Sequence, residues 1–171
     1  MKAGNFLVSW IKIIVFLSGI LLLPGCSAWF NSTNIKVTQE MDKTITDYIL
    51  KEYQDVYPTT DRQFEAHKVY GAKEKSGVIS VYMYSFYSCF NKETGTEGQS
   101  GHSVPVLIKL EEQEGKYVVT YYKEPQNDSN YKDALYKMFP RVYAAKALAD
   151  TGHVKELEKE VQKKAEAWLN H

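Results

Sequence analysis

The chain has 171 residues, and its 21 basic side chains are matched by 21 acidic ones. That balance leaves no broad basic field for nucleic acid and no acidic tail. The length supports one hydrophobic core that buries roughly 70% of the unfolded surface, and it argues against a second.

The N-terminus has the pattern of a targeting segment. Lys2 and Lys12 bracket a short positive region, and Ile13 to Leu23 is apolar apart from Ser18 and Gly19. A bilayer-spanning helix needs about 20 apolar residues, whereas the apolar part of a signal peptide needs about 7–15. Leu23-Pro24-Gly25-Cys26 resembles the lipobox of bacterial lipoproteins, in which the thiol receives diacylglyceryl before cleavage. Pro24 departs from the usual small residue at its place. The expectation is a signal peptide over 1–25, lipidation at Cys26, a tether over 26–34 carrying Trp29 and Phe30, and one domain over 35–171. Without Lys2 and Lys12, the cleaved chain keeps 19 basic and 21 acidic residues. Two acyl chains hold a protein stably where one does so marginally, so the membrane is an expected partner and its outer face the expected location.

Within the domain, apolar residues at 37, 41, 45, 48, 49, 53 and 56 form a helical stripe that Pro58 and Thr59-Thr60-Asp61 end. Four strands are expected next: Phe64 to Tyr70, Val78 to Phe90, Val104 to Leu110 and Tyr117 to Lys123. Lys73 to Gly77 and Gln113 to Lys116 read as turns, and Asn91 to Ser103 as a polar, Gly-rich loop. Short connections favour antiparallel pairing, because parallel neighbours need crossovers of roughly a dozen residues. Residues 78–90 are apolar and aromatic on both faces, which marks a central strand covered on both sides.

The tail reads as three helices. One is capped by Ser129 or Asp128 and runs to Met138, one starts at Pro140 and closes near Gly152, and one buries Val154, Leu157, Val161, Ala165 and Trp168. The expected fold is α+β: an N-terminal helix on a four-stranded antiparallel sheet, followed by C-terminal helices. Cystatin-like and NTF2-like folds are its analogues, and fold alone does not carry function.

The sequence contains no HExxH, paired CxxC, GxSxG or P-loop. Glu65 and His67 share a strand face, and a metal site completed by His102 is the enzymatic alternative. Surface histidines are the commoner outcome of this spacing. In the loop, the glycines suit positive φ and exposed N–H groups, which makes Gly98, Ser100, Gly101, His102 and Ser103 a candidate binding set for an anion or a peptide carboxylate. Tyrosine occurs 13 times, mostly as expected core with a few rings at the surface. Once Cys26 carries lipid, Cys89 has no intramolecular partner, and its apolar strand makes it a buried thiol.

Phe64-Glu65-Ala66-His67-Lys68-Val69-Tyr70-Gly71, Ser100-Gly101-His102-Ser103-Val104-Pro105-Val106, Glu124-Pro125 and Met138-Phe139-Pro140 together resemble a domain family of low-GC Gram-positive bacteria. It occurs as small lipoproteins and as the extracellular C-terminal tail of membrane metallopeptidases of the beta-lactam-sensor type. The resemblance covers about residues 61–170. The peptidase part with its zinc motif is absent here, so the resemblance implies an extracytoplasmic sensing or accessory module and no proteolysis. The expected function is therefore non-enzymatic binding, with no cofactor and an envelope protein or peptide as possible partner. A metal-dependent activity of Glu65, His67 and His102, and protease inhibition, are the alternatives.

Overall fold

A computed structural model describes residues 32–125, 130–150 and 153–171. The signal segment, Cys26, Trp29, Phe30, the proposed caps Asp128 and Ser129, and Gly152 lie outside the described residues. The described fold is α+β, with five strands in one antiparallel sheet and four helices. A short strand, β1 (Thr33–Ile35), comes first and pairs along the edge of β2 (Arg62–Lys75). This corrects the expectation of four strands with a helix in front. Three residues give no alternation to read, and β1 falls across the boundary drawn between tether and domain.

Helix α1 (Gln39–Tyr53) starts where Thr38 caps it, its hydroxyl accepting the Met41 N–H at 3.3 Å. Val37 is therefore outside the helix, although it belongs to the same stripe. Met41, Ile45 and Ile49 recur every four residues and are buried against the sheet.

The sheet is a meander: β1, β2, β3 (Val78–Phe90), β4 (Ser100–Gln113) and β5 (Lys116–Lys123) lie side by side in chain order. Ser76-Gly77 and Glu114-Gly115 form the tight turns, with all four residues at positive φ, the geometry that matches the twist of a two-residue hairpin. Both β2 and β4 are longer than their apolar cores suggest. At the far end of β2, a bulge at Tyr70 shifts the register between Val69 and Gly71, and pairing then continues to Lys75 opposite Val78. The bulge changes which residues face each side, so the strict alternation stops at Tyr70 while the strand does not.

Alternation places Ile79, Val81, Met83 and Cys89 of β3 and Val106, Ile108 and Leu110 of β4 under α1. The opposite face is closed by α2 (Tyr131–Met138), α3 (Arg141–Ala149) and α4 (His153–Leu169). There Tyr70 and Leu107 pack with Leu135, Met138, Phe139, Ala144 and Ala147, and Ala66 and Phe90 pack with Leu157, Val161 and Ala165. The central, doubly covered strand is thus the one expected. Cys89 is fully buried in the α1-side core and is a free thiol. Cys89→Ala is expected to cost about 1 kcal/mol, because little volume is removed. The wild-type thiol is expected to resist thiol reagents until denaturant unfolds the chain. Rapid labelling of the native protein would contradict its burial.

Candidate functional site

The structure divides the candidate binding set. Gly98 stays in the loop between β3 and β4, but Ser100, Gly101, His102 and Ser103 belong to β4, opposite Cys89, Ser88, Tyr87 and Phe86. In the loop, Gly95 takes positive φ; Gly98 and Gly101 do not. The expected anion cradle at 98–103 is thereby corrected. These polar residues carry no apolar alternation, which is why they read as loop, yet ladder bonds to β3 hold them straight. Gly101 is set by close approach: a Cβ there would stand 2.1 Å from the Tyr87 carbonyl oxygen. Gly98 is similarly close to the Ser88 hydroxyl.

His102 and Ser103 nevertheless line a cavity. β5 runs out at Lys123 opposite Leu107, so among the described residues β4 up to Val106 pairs on the β3 side alone. Along this open edge lies a cavity of about 460 Å³, within the range of small-molecule sites. Tyr53 from the end of α1, Tyr57 just beyond it, His102 to Pro105 from β4, Glu124 and Pro125 beyond β5, and Tyr131 from α2 form its described walls. Pro105 removes an N–H from the edge, which discourages addition of another strand.

Three rings enclose the imidazole of His102. Its centroid lies 4.1 Å from that of Tyr53, and it stacks on Tyr57 at 15° and on Tyr87 at 24°. Nδ1 is 2.9 Å from the Tyr57 hydroxyl, while Nε2 is 3.9 Å from Glu124 Oε1 and has no hydrogen-bond partner among the described residues. Burial lowers the proton affinity of His102 below the ordinary histidine value, against the smaller pull of Glu124 and Glu65. The ring is therefore neutral at neutral pH. Glu124 Oε1 accepts from the Tyr122 hydroxyl at 2.5 Å and from the Tyr53 hydroxyl. Burial first, then the bond to Glu124, pushes both tyrosines well above the ordinary phenol range, so each stays a donor.

The second polar cluster lies under α1. Glu65 is fully buried; its carboxyl accepts from Ser85 at 2.9 Å and from Thr46 at 3.1 Å, and lies 3.1 Å from His67 Nδ1. His67 Nε2 is 3.1 Å from Asp42, and the His67 side chain is 3% exposed. Desolvation opposes its charge, but hydrogen bonds and Coulombic attraction from Asp42 and Glu65 prevail and push its pKa up to about 9. The bond to His67 holds Asp42 below the usual carboxylate value. His67 is thus a buried cation clasped by two acids, which corrects its reading as a surface histidine. The Lys164 ammonium of α4 donates to the Glu65 carbonyl at 2.8 Å and ties the two layers together.

Glu65 and His67 meet, but His102 does not join them. In register, Glu65 pairs with Tyr87 and Tyr87 with His102, so β3 separates the two by about 10 Å. Among the described residues, no group of three His, Cys, Asp or Glu side chains is arranged to hold a metal ion. Sequence reasoning missed Asp42, Tyr53, Tyr57 and Glu124 as site residues. The spacing of Tyr53 and Tyr57, one helical turn apart, was the available signal for two of them. Comparison of the chain with family profiles, curated proteins and solved structures gives no match.

Proposed function

We propose that this protein is a lipid-anchored module on the outer face of the cell membrane that binds a small ligand or a peptide side chain without transforming it. The cavity around His102 and Glu124 carries this reading. Its walls are rings and prolines, its polar groups converge inward, and its volume suits one ligand group. The protonation states favour recognition over proton transfer. General acid–base catalysis works best with a pKa near the operating pH, whereas Tyr53 and Tyr122 are moved far above it. The lipobox-like segment supports the anchor, and the resemblance to the extracellular tails of sensor-type peptidases supports a sensing or accessory role.

Two measurements test the reading. Cys26→Ala is expected to abolish acyl labelling and leave the precursor uncut; unchanged labelling would remove the anchor. The protein purified from its native membrane, mixed with a small-molecule extract of the envelope and analysed by native mass spectrometry, is expected to retain a species of defined mass. His102→Leu is expected to lose it. Retention equal in both proteins, or no retained species, would defeat binding at this cavity. A ligand recovered with altered mass would point to catalysis instead.

A further inference from the structure

The charge and hydrogen-bonding pattern of the cavity narrows what it accepts. Glu124 is its acid, and no lysine or arginine occurs among its described lining residues. An anionic ligand would meet a carboxylate with no counter-charge. Glu124 is 31% exposed on its side chain and so faces the opening. Oε1 is occupied by the hydroxyls of Tyr53 and Tyr122; among the described residues nothing donates to Oε2.

His102 Nε2 is buried and has no hydrogen-bond partner among the described residues. In the tautomer that carries the proton on Nδ1, directed at the Tyr57 oxygen, Nε2 is a buried acceptor beside Glu124. The 3.9 Å between that acceptor and Glu124 Oε1 is too long for a direct bond. One nitrogen placed between them reaches both atoms at an ordinary N–H···O or N–H···N length of about 2.8 Å. Tyr53 and Tyr57 add aromatic wall beside the carboxylate. Val104, Pro105 and Pro125 offer apolar wall for a methylene stem.

We infer that the cavity binds a primary ammonium on an aliphatic stem, with Glu124 as counter-charge, His102 Nε2 as second acceptor and the tyrosine rings as walls. This rests on the binding role proposed above and specifies its ligand class. Two acceptors, His102 Nε2 and the Glu124 carboxylate, favour an N–H-bearing ammonium over a quaternary one, which has nothing to donate. The same chemistry is offered by a lysine-like peptide side chain and by a free diamine.

Three probes decide the matter with the full-length protein in detergent, by saturation-transfer NMR observed on the probe. They are N-acetyl-lysine methylamide, cadaverine, and N-acetyl-norleucine methylamide, in which a methyl replaces the ammonium. At least one amine is expected to saturate with a dissociation constant in the millimolar range or tighter, on the order of 1 mM. The norleucine amide is expected to bind at least about tenfold more weakly, as is either amine to Glu124→Gln, because the charge-assisted bond is lost. Stronger binding of the lysine amide would identify a peptide side chain as the source, and stronger binding of cadaverine a free amine. Equal binding of norleucine and lysine amides would overturn the ammonium assignment while leaving the cavity a binding site. Saturation by neither amine would also overturn it, and the envelope-extract measurement would still judge binding itself. Since Glu124 also receives two tyrosine hydroxyls, the lysine–norleucine comparison on the wild-type protein decides if Glu124→Gln unfolds.

Discussion

Glu65→Ala is expected to destabilise the domain by about 3–5 kcal/mol, the usual cost of removing one partner from a buried charged pair. The substitution leaves the His67 imidazolium under α1 with Asp42 alone, and Asp42 is 61% exposed on its side chain. It also strips acceptors from Ser85 and Thr46, both of which donate to the Glu65 carboxyl. Urea unfolding of both proteins measures the difference, and a loss below about 1 kcal/mol would show that the cluster contributes little.

The same cluster sets a pH dependence. His67 holds its proton more tightly when folded, with a pKa of about 9 against an ordinary 6.5. Its contribution is complete below about pH 6.5 and disappears as pH rises through 9, because the unfolded chain has then released a proton that the folded chain must also give up. Asp42 behaves oppositely: its lowered pKa stabilises above the ordinary carboxylate value of 3.8, and that contribution is lost as pH falls further. A stability plateau between about pH 4 and 6.5 is therefore expected, with an alkaline decline that shrinks in Glu65→Ala. An unchanged alkaline decline in that variant would separate it from the Glu65–His67 pair.

Gly101→Val is expected to destabilise by about 3 kcal/mol or more, enough to unfold a marginal domain. The first carbon added would sit 2.1 Å from the Tyr87 carbonyl oxygen and 3.0 Å from the Ser88 Cα, both backbone atoms of the central strand. Neither can turn aside like a side chain, so β3 and β4 must part. Gly101→Ala is expected to show most of the effect, since Cβ alone makes the clash. A thermal midpoint within about 2 °C of wild type for Gly101→Ala would mean that the strands relax easily.

Much of the fold was legible because its core is periodic. Val104 to Leu110 and Met41, Ile45 and Ile49 announce their elements by spacing alone, and Val78 to Phe90 announces double coverage by being apolar on both faces. What escaped lacked such a pattern. Thr33–Ile35 is too short, Ser100 to Ser103 is polar, and the bulge at Tyr70 breaks the count within β2. The candidate site was legible in part. His102 was singled out, but its neighbours come from residues 53, 57, 87 and 124, which only the meander brings together. Asp42 falls outside the apolar stripe of α1. Its reach back to His67 depends on how α1 crosses β2, which no local pattern records.

The edge strand has a further consequence for how the domain stands. Thr33 pairs with Glu74, and Glu74 with Ile79, beside the Ser76-Gly77 turn. His102 pairs with Tyr87, so along β3 the cavity is about 26 Å from the row where the chain enters the sheet. With lipid on Cys26, as proposed, the chain from there to Thr33 covers at most about 25 Å even when fully extended. Such a tether allows the hairpin-turn end to rest against the bilayer, with the His102 cavity at the membrane-distal tip. An upright domain would therefore sample the wall and the surrounding medium, while a headgroup in its own bilayer would be reached only if the whole domain lay down.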